Sequence, residues 1–92
     1  MNRTVRIAVD VVSVKILEPF IVLVAFADGS QRRVDLEPVL WGPLFEPLRE
    51  PTRFAEVRVN HDLGTIVWPN GADIAPEYLY EHGQPVKTIA RG

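Results

Sequence analysis

A chain of 92 residues fits a single domain, and the absence of cysteine excludes disulfides, thiol nucleophiles and thiolate metal sites together. Hydrophobic residues make up 47% and charged residues 24%, a globular balance rather than a disordered one. The net charge of −2 comes from ten basic and twelve acidic residues spread along the chain, with Arg32 and Arg33 the one adjacent basic pair, so the concentrated positive face of a nucleic-acid binder is missing.

The N-terminus, MNRTVRIAVDVVSVKIL, begins basic and turns apolar, but Asp10, Lys15 and Glu18 interrupt the unbroken apolar centre that a signal peptide requires. The longest clean run, Phe20 to Ala27, is far too short to cross a bilayer as a helix. The expectation is a cytoplasmic protein with no membrane contact.

Val11 to Leu17 alternates as a strand, with Val12, Val14 and Ile16 on one side and Ser13 and Lys15 on the other. Glu18 and Pro19 break it, since proline cannot donate to a ladder. Phe20 to Phe26, FIVLVAF, is apolar on both sides and marks a central strand. The ADGS that follows is a hairpin turn in which both Asp28 and Gly29 can adopt positive φ. Gln31 to Leu36 returns, Val34 and Leu36 inward, completing an antiparallel meander from Val11 to Leu36.

Four prolines between Glu37 and Phe54 exclude a long helix, because each interior proline deletes a hydrogen bond and crowds the preceding turn. One-turn helical pieces are expected instead near Pro38–Leu40, Pro43–Leu48 and Pro51–Ala55, each with proline at its start. Their apolar residues, Leu40, Trp41, Leu44, Phe45, Leu48 and Phe54, form a lid over one sheet face. Glu56 to Val59 and Thr65 to Trp68 make a second hairpin, with Gly64 left-handed at the end of its loop. Pro69, Asn70 and Gly71 then turn the chain into a short helix with Ala75 at the N-cap, Pro76 at the first position and Glu77 complementing the helix start. Asp73 accepts from backbone N–H groups of that turn. The fold class is α+β, a small antiparallel sheet in the order β-β-β, short helices, β-β, short helix. It forms one domain over residues 1–92, with a core at about residues 10–82 and a loose tail over residues 83–92.

The succession FADGS, DLEPVLWGPLFEPL, PTRFAEVRV and LGTIVWPNGADIAPEYLY closely resembles the bacterial domain of unknown function 2442 family over residues 10–81. The last motif is the most specific part. The resemblance implies a small α+β domain with an antiparallel sheet and no established activity. It also implies two functional settings. Some relatives carry this domain ahead of a helix-turn-helix, as a regulatory input module. Others are encoded beside a second small family, domain of unknown function 4160, in an arrangement similar to toxin–antitoxin pairs. Ninety-two residues leave no space for a DNA-reading helix pair, so this chain fits the second setting better.

The residues carry little chemistry. His61 and His82 lie in separate loops without converging carboxylates, so no metal site and no cofactor are expected. Ser13 sits in a strand and Ser30 in a tight turn, neither beside an activating base. Glu77 and Glu81 share a helix side at four-residue spacing, which ordinarily decorates a solvated face. No enzyme is expected. Trp41, Trp68, Tyr78 and Tyr80 can line a pocket or fill a core, and a domain this small favours the core.

Two sets of binding residues emerge. Trp68, Asn70 and Asp73 place polar groups beside aromatics and are the candidates for a small-ligand site. Ile21, Leu23 and Ala25 point away from Phe20, Val22, Val24 and Phe26, and too few residues remain to cover both rows. An apolar sheet face left over in this way marks an interface with a protein partner or a second copy. The resulting expectation is a non-enzymatic protein-interaction module, the antitoxin-like half of a two-component pair. The alternative is a small-ligand-binding or DNA-associated regulatory domain, although nucleic acid is not an expected partner of this chain alone.

Overall fold

The computed structural model describes residues 9–86. Residues 1–8 and Lys87 to Gly92, the end of the expected tail, lie outside the described residues. The chain folds as β1 (Val11–Glu18), β2 (Ile21–Phe26), β3 (Gln31–Asp35), 3-10 turns at Glu37–Val39 and Glu46–Arg49, α1 (Pro51–Phe54), β4 (Arg58–Asn60), β5 (Thr65–Val67), β6 (Asp73–Ile74), α2 (Pro76–His82) and β7 (Gln84–Pro85). The class is α+β, with two antiparallel sheets in place of one: β1-β2-β3-β7 and β4-β5-β6. Gln84 and Pro85, assigned by the sequence to a loose tail, pair with Arg33 and Arg32 and extend the larger sheet.

The meander forms where the alternation places it. β2 runs its buried residues, Val22, Val24 and Phe26, against Val34 of β3 on the same face. Two irregularities in the pairing of β1 with β2 leave Val12 and Leu17 unmatched, and both are exposed. A bulge inserts one residue and resets the two-residue period. That is why Val11, not Val12, is buried, while Val14 and Ile16, half-buried, pack against the core. The hairpin after β2 also departs from the expected form. Gly29 alone is left-handed (φ 89), no non-glycine residue having positive φ among the described residues. Gly29 N donates to Phe26 O at 2.9 Å. Asp28 keeps an ordinary conformation because its carboxylate accepts from the amide and hydroxyl of Ser30.

Each helical piece between Glu37 and Phe54 starts with proline in its first two positions, where the missing N–H costs nothing. The lid is smaller than the composition suggests. Leu40, Leu48 and Phe54 are buried, Phe45 is half-buried, and Trp41 and Leu44 are exposed, Trp41 by 71%. With these, Leu36, Ile66, Trp68, Ala72, Ile74 and Leu79 complete one continuous core on the inner side of the larger sheet. Gly64 turns with φ 70 as expected, and its carbonyl accepts from Val11 N at 2.9 Å, tying the start of β1 to the smaller sheet. Gly83 serves a different purpose. A Cβ there would come within 2.7 Å of Arg32 Cβ and Val34 Cγ2, so glycine lets the chain leave α2 pressed against β3.

Candidate functional site

The turn after β5 is built from Trp68 outward. Its indole is buried, packs on Phe54 at 5.5 Å and on Phe45 at 6.2 Å between ring centres, and donates Nε1–H to the Phe54 carbonyl at 2.9 Å. Trp68 N donates to Ala72 O at 2.9 Å, and Gly71 N to Trp68 O at 3.0 Å. Asn70 then works in two directions. Its Oδ1 accepts from Ala72 N at 3.0 Å, and its Nδ2 donates to the Leu44 carbonyl at 2.8 Å, 26 residues away. The amide at Ala72 is therefore held by Asn70, where the sequence assigned turn amides to Asp73. Asp73 pairs with Val67 in the ladder and is exposed.

The three ligand candidates thus occupy three settings: Trp68 in the core, Asn70 as a brace to the proline-rich segment, and Asp73 on the edge strand of the smaller sheet. A shallow cleft of about 230 Å³ lies beside the turn, lined by Leu48, Arg53, Glu56, Pro69 and Asn70. It includes Asn70 but neither Trp68 nor Asp73. Thr65, buried, donates its hydroxyl to Ile74 O and closes β5 onto β6. Among the described residues no group of three or more metal-ligating side chains converges. His82 stacks on Tyr78 at 4.1 Å.

A second polar cluster was not singled out by sequence reasoning. Tyr80 OH donates to Asp28 Oδ2 at 2.8 Å, Arg32 lies over the Tyr80 ring at 4.1 Å, and Arg32 Nε donates to Tyr80 O at 3.0 Å. Hydrogen bonds from the Ser30 hydroxyl and amide, then from Tyr80, with the charge of Arg32 behind them, hold the Asp28 carboxyl below its ordinary value of 3.8. The cluster clamps α2 to the first hairpin. Its signal in the sequence is only Asp28 and Tyr80, 52 residues apart, which no local spacing connects.

The interface candidates are brought together. Ile21, Leu23 and Ala25 stand on the outer face of β2, half-buried, and none of the three packs against the core. Pairing across three strands arranges that face in rows. Ile21 lies between Glu18 and Asp35, Leu23 between Lys15 and Arg33, and Ala25 between Ser13 and Gln31. Arg33 reaches diagonally to Glu18, Nη2 to Oε2 3.4 Å, over the apolar row, which accounts for the partial shielding of Ile21 and Leu23. At the acidic end, Glu18, Pro19, Phe20, Ile21, Asp35 and Glu37 outline a shallow cleft of about 260 Å³.

The model of the family described as "Protein of unknown function (DUF2442)" matches residues 11–85 of the chain. No curated protein and no solved structure matches it.

Proposed function

The chain belongs to the DUF2442 family of proteins of unknown function, and from that premise we propose that it is a non-enzymatic, cytoplasmic protein-interaction module that binds through the outer face of β2. The specific form proposed is the antitoxin-like half of a two-component pair. One observation carries the reading: β2 presents Ile21, Leu23 and Ala25 on the side away from the core, at the centre of a sheet rather than at its margin. Aliphatic side chains in the middle of an open sheet gain about 25 cal/mol for each Å² removed from water, so a matching surface stabilises them.

The polar groups elsewhere support the same reading, because they are engaged in holding the fold: Trp68 Nε1 on Phe54, Asn70 on Leu44 and Ala72, and Asp28 on Ser30 and Tyr80. No helix among the described residues is long and apolar enough to cross a membrane.

Solution mass, measured for the chain alone and mixed with the product of the adjacent gene, tests the proposal. Association is expected in one of the two samples, and Leu23→Lys is expected to abolish it while leaving the circular dichroism spectrum unchanged. Association that survives Leu23→Lys moves the interface away from β2. A chain that stays monomeric and ignores that neighbour removes the proposal.

A further inference from the structure

The rows on the outer face are arranged so that the face complements itself. One row is acid–apolar–acid, Glu18, Ile21 and Asp35, and the next is base–apolar–base, Lys15, Leu23 and Arg33. Consider a two-fold axis lying in the plane of the face, parallel to the rows and midway between these two. Rotation about it places the acidic row of one copy over the basic row of the other. Glu18 then meets Lys15 of the second copy, Asp35 meets Arg33, and Ile21 meets Leu23, each contact occurring twice. A two-fold interface requires this kind of self-matching patch, and apposed sheets pack with their strands nearly aligned. We infer that the occupant of this face is a second copy of the chain, seated in that orientation; the inference rests on the interaction reading above and names its partner.

Two further features fit the same occupant. The acidic end carries the shallow cleft that includes Glu18, Asp35 and Glu37 beside Ile21, where the long basic side chains of the opposing row would end. The Arg33–Glu18 pair within one copy is exposed on both sides, and such pairs are weak enough to exchange for an intermolecular partner. The footprint is small. Three strands about 4.8 Å apart and six residues of about 3.4 Å outline a footprint of about 300 Å². A standard interface buries about 800 Å² per partner. The dimer is therefore of the weak, transient kind, and it loosens with added salt.

Sedimentation equilibrium of the full chain, from about 10 μM to about 1 mM at low and at high salt, tests this directly. A salt-sensitive monomer–dimer equilibrium is expected. Lys15→Glu sets a carboxylate against Glu18 of the second copy at both symmetric contacts and should weaken the dimer about tenfold, with an unchanged circular dichroism spectrum. The double variant Lys15→Glu/Glu18→Lys exchanges the charges and should return the affinity to within about threefold of the original. Strict monomer throughout the range overturns the self-pairing, and so does a dimer indifferent to both Lys15→Glu and Leu23→Lys. If the chain is monomeric yet binds the neighbouring gene product, and Leu23→Lys abolishes that binding, self-pairing falls and the interaction module stands. If neither association occurs, both fall.

Discussion

Leu23 and Val24 are consecutive residues of one strand, both aliphatic and both in the middle of the larger sheet, yet they have opposite fates. Val24 is fully buried, against a layer made of the smaller sheet, the proline-rich turns and α2. Leu23 is half-buried on the other side, between Lys15 and Arg33, and touches no part of that core. The contrast separates two uses of hydrophobic surface. The inner row holds the chain folded. The outer row is flanked by charges of both signs, and under the interaction proposed above those charges would select a matching surface. A domain of this size has material for one layer of cover, so the placement of that layer decides which row becomes a core.

The contrast can be attacked from the inner side first, where the effects are largest. Phe54 is fully buried and meets Phe20 edge-on at 5.4 Å between ring centres as well as Trp68. Phe54→Ala is expected to cost about 3–5 kcal/mol in urea denaturation, a large share of a small domain's stability. Val24→Ala should cost about 2 kcal/mol, against less than about 1 kcal/mol for Leu23→Ala in dilute monomer. Equal shifts in the urea midpoint would erase the distinction between the two rows.

Smaller effects sharpen the account of the turn. Trp68→Phe leaves the Phe54 carbonyl without its donor and should cost about 1–2 kcal/mol by thermal unfolding. Asn70→Ala releases Leu44 and Ala72 for a loss of about 1 kcal/mol, whereas Asp73→Ala should stay within about 0.5 kcal/mol of the parent. The reverse order would give Asp73 the bracing role in place of Asn70.

The smallest expected effect is on acid stability. The Asp28 carboxyl titrates below its ordinary 3.8 in the folded chain, so the unfolded chain binds the extra proton first and stability rises with pH. Its contribution is present above about 3.8 and is lost as the pH falls through the lowered folded value. Asp28→Asn should lower the melting temperature slightly at neutral pH, leave it nearly unchanged below the lowered folded value, and so flatten the acid limb of the profile in that window. An unaltered acid limb would remove the clamp between α2 and the hairpin from the account.

Much of the fold was readable in the sequence because it depends on local rules. The two-residue period and its breakers located β1 to β5 but not the two-residue strands β6 and β7, proline placed the starts of the short helices, and Gly64 closed its loop left-handed. The same reasoning failed where one inserted residue changes the period, as at Val12. It also failed where hydrophobicity alone was asked to predict burial, as for Trp41 and Leu44. The site was readable to a similar depth. The apolar outer row follows from alternation on β2, but its flanking charges depend on cross-strand register, which a bulge shifts and which composition does not record.

The sequence by itself therefore determined the order of β1 to β5, the absence of any long helix in the proline-rich segment, and the two apolar rows of β2. Tertiary structure alone decided that the strands divide into two sheets, that Gln84 and Pro85 join the larger one, that Asn70 braces Leu44 and that the cover falls on Val22 and Val24 rather than on Ile21 and Leu23. The reason is that backbone preference is set by a residue and its near neighbours. Burial and hydrogen-bond partnership need a second surface, and that surface comes from segments tens of residues away.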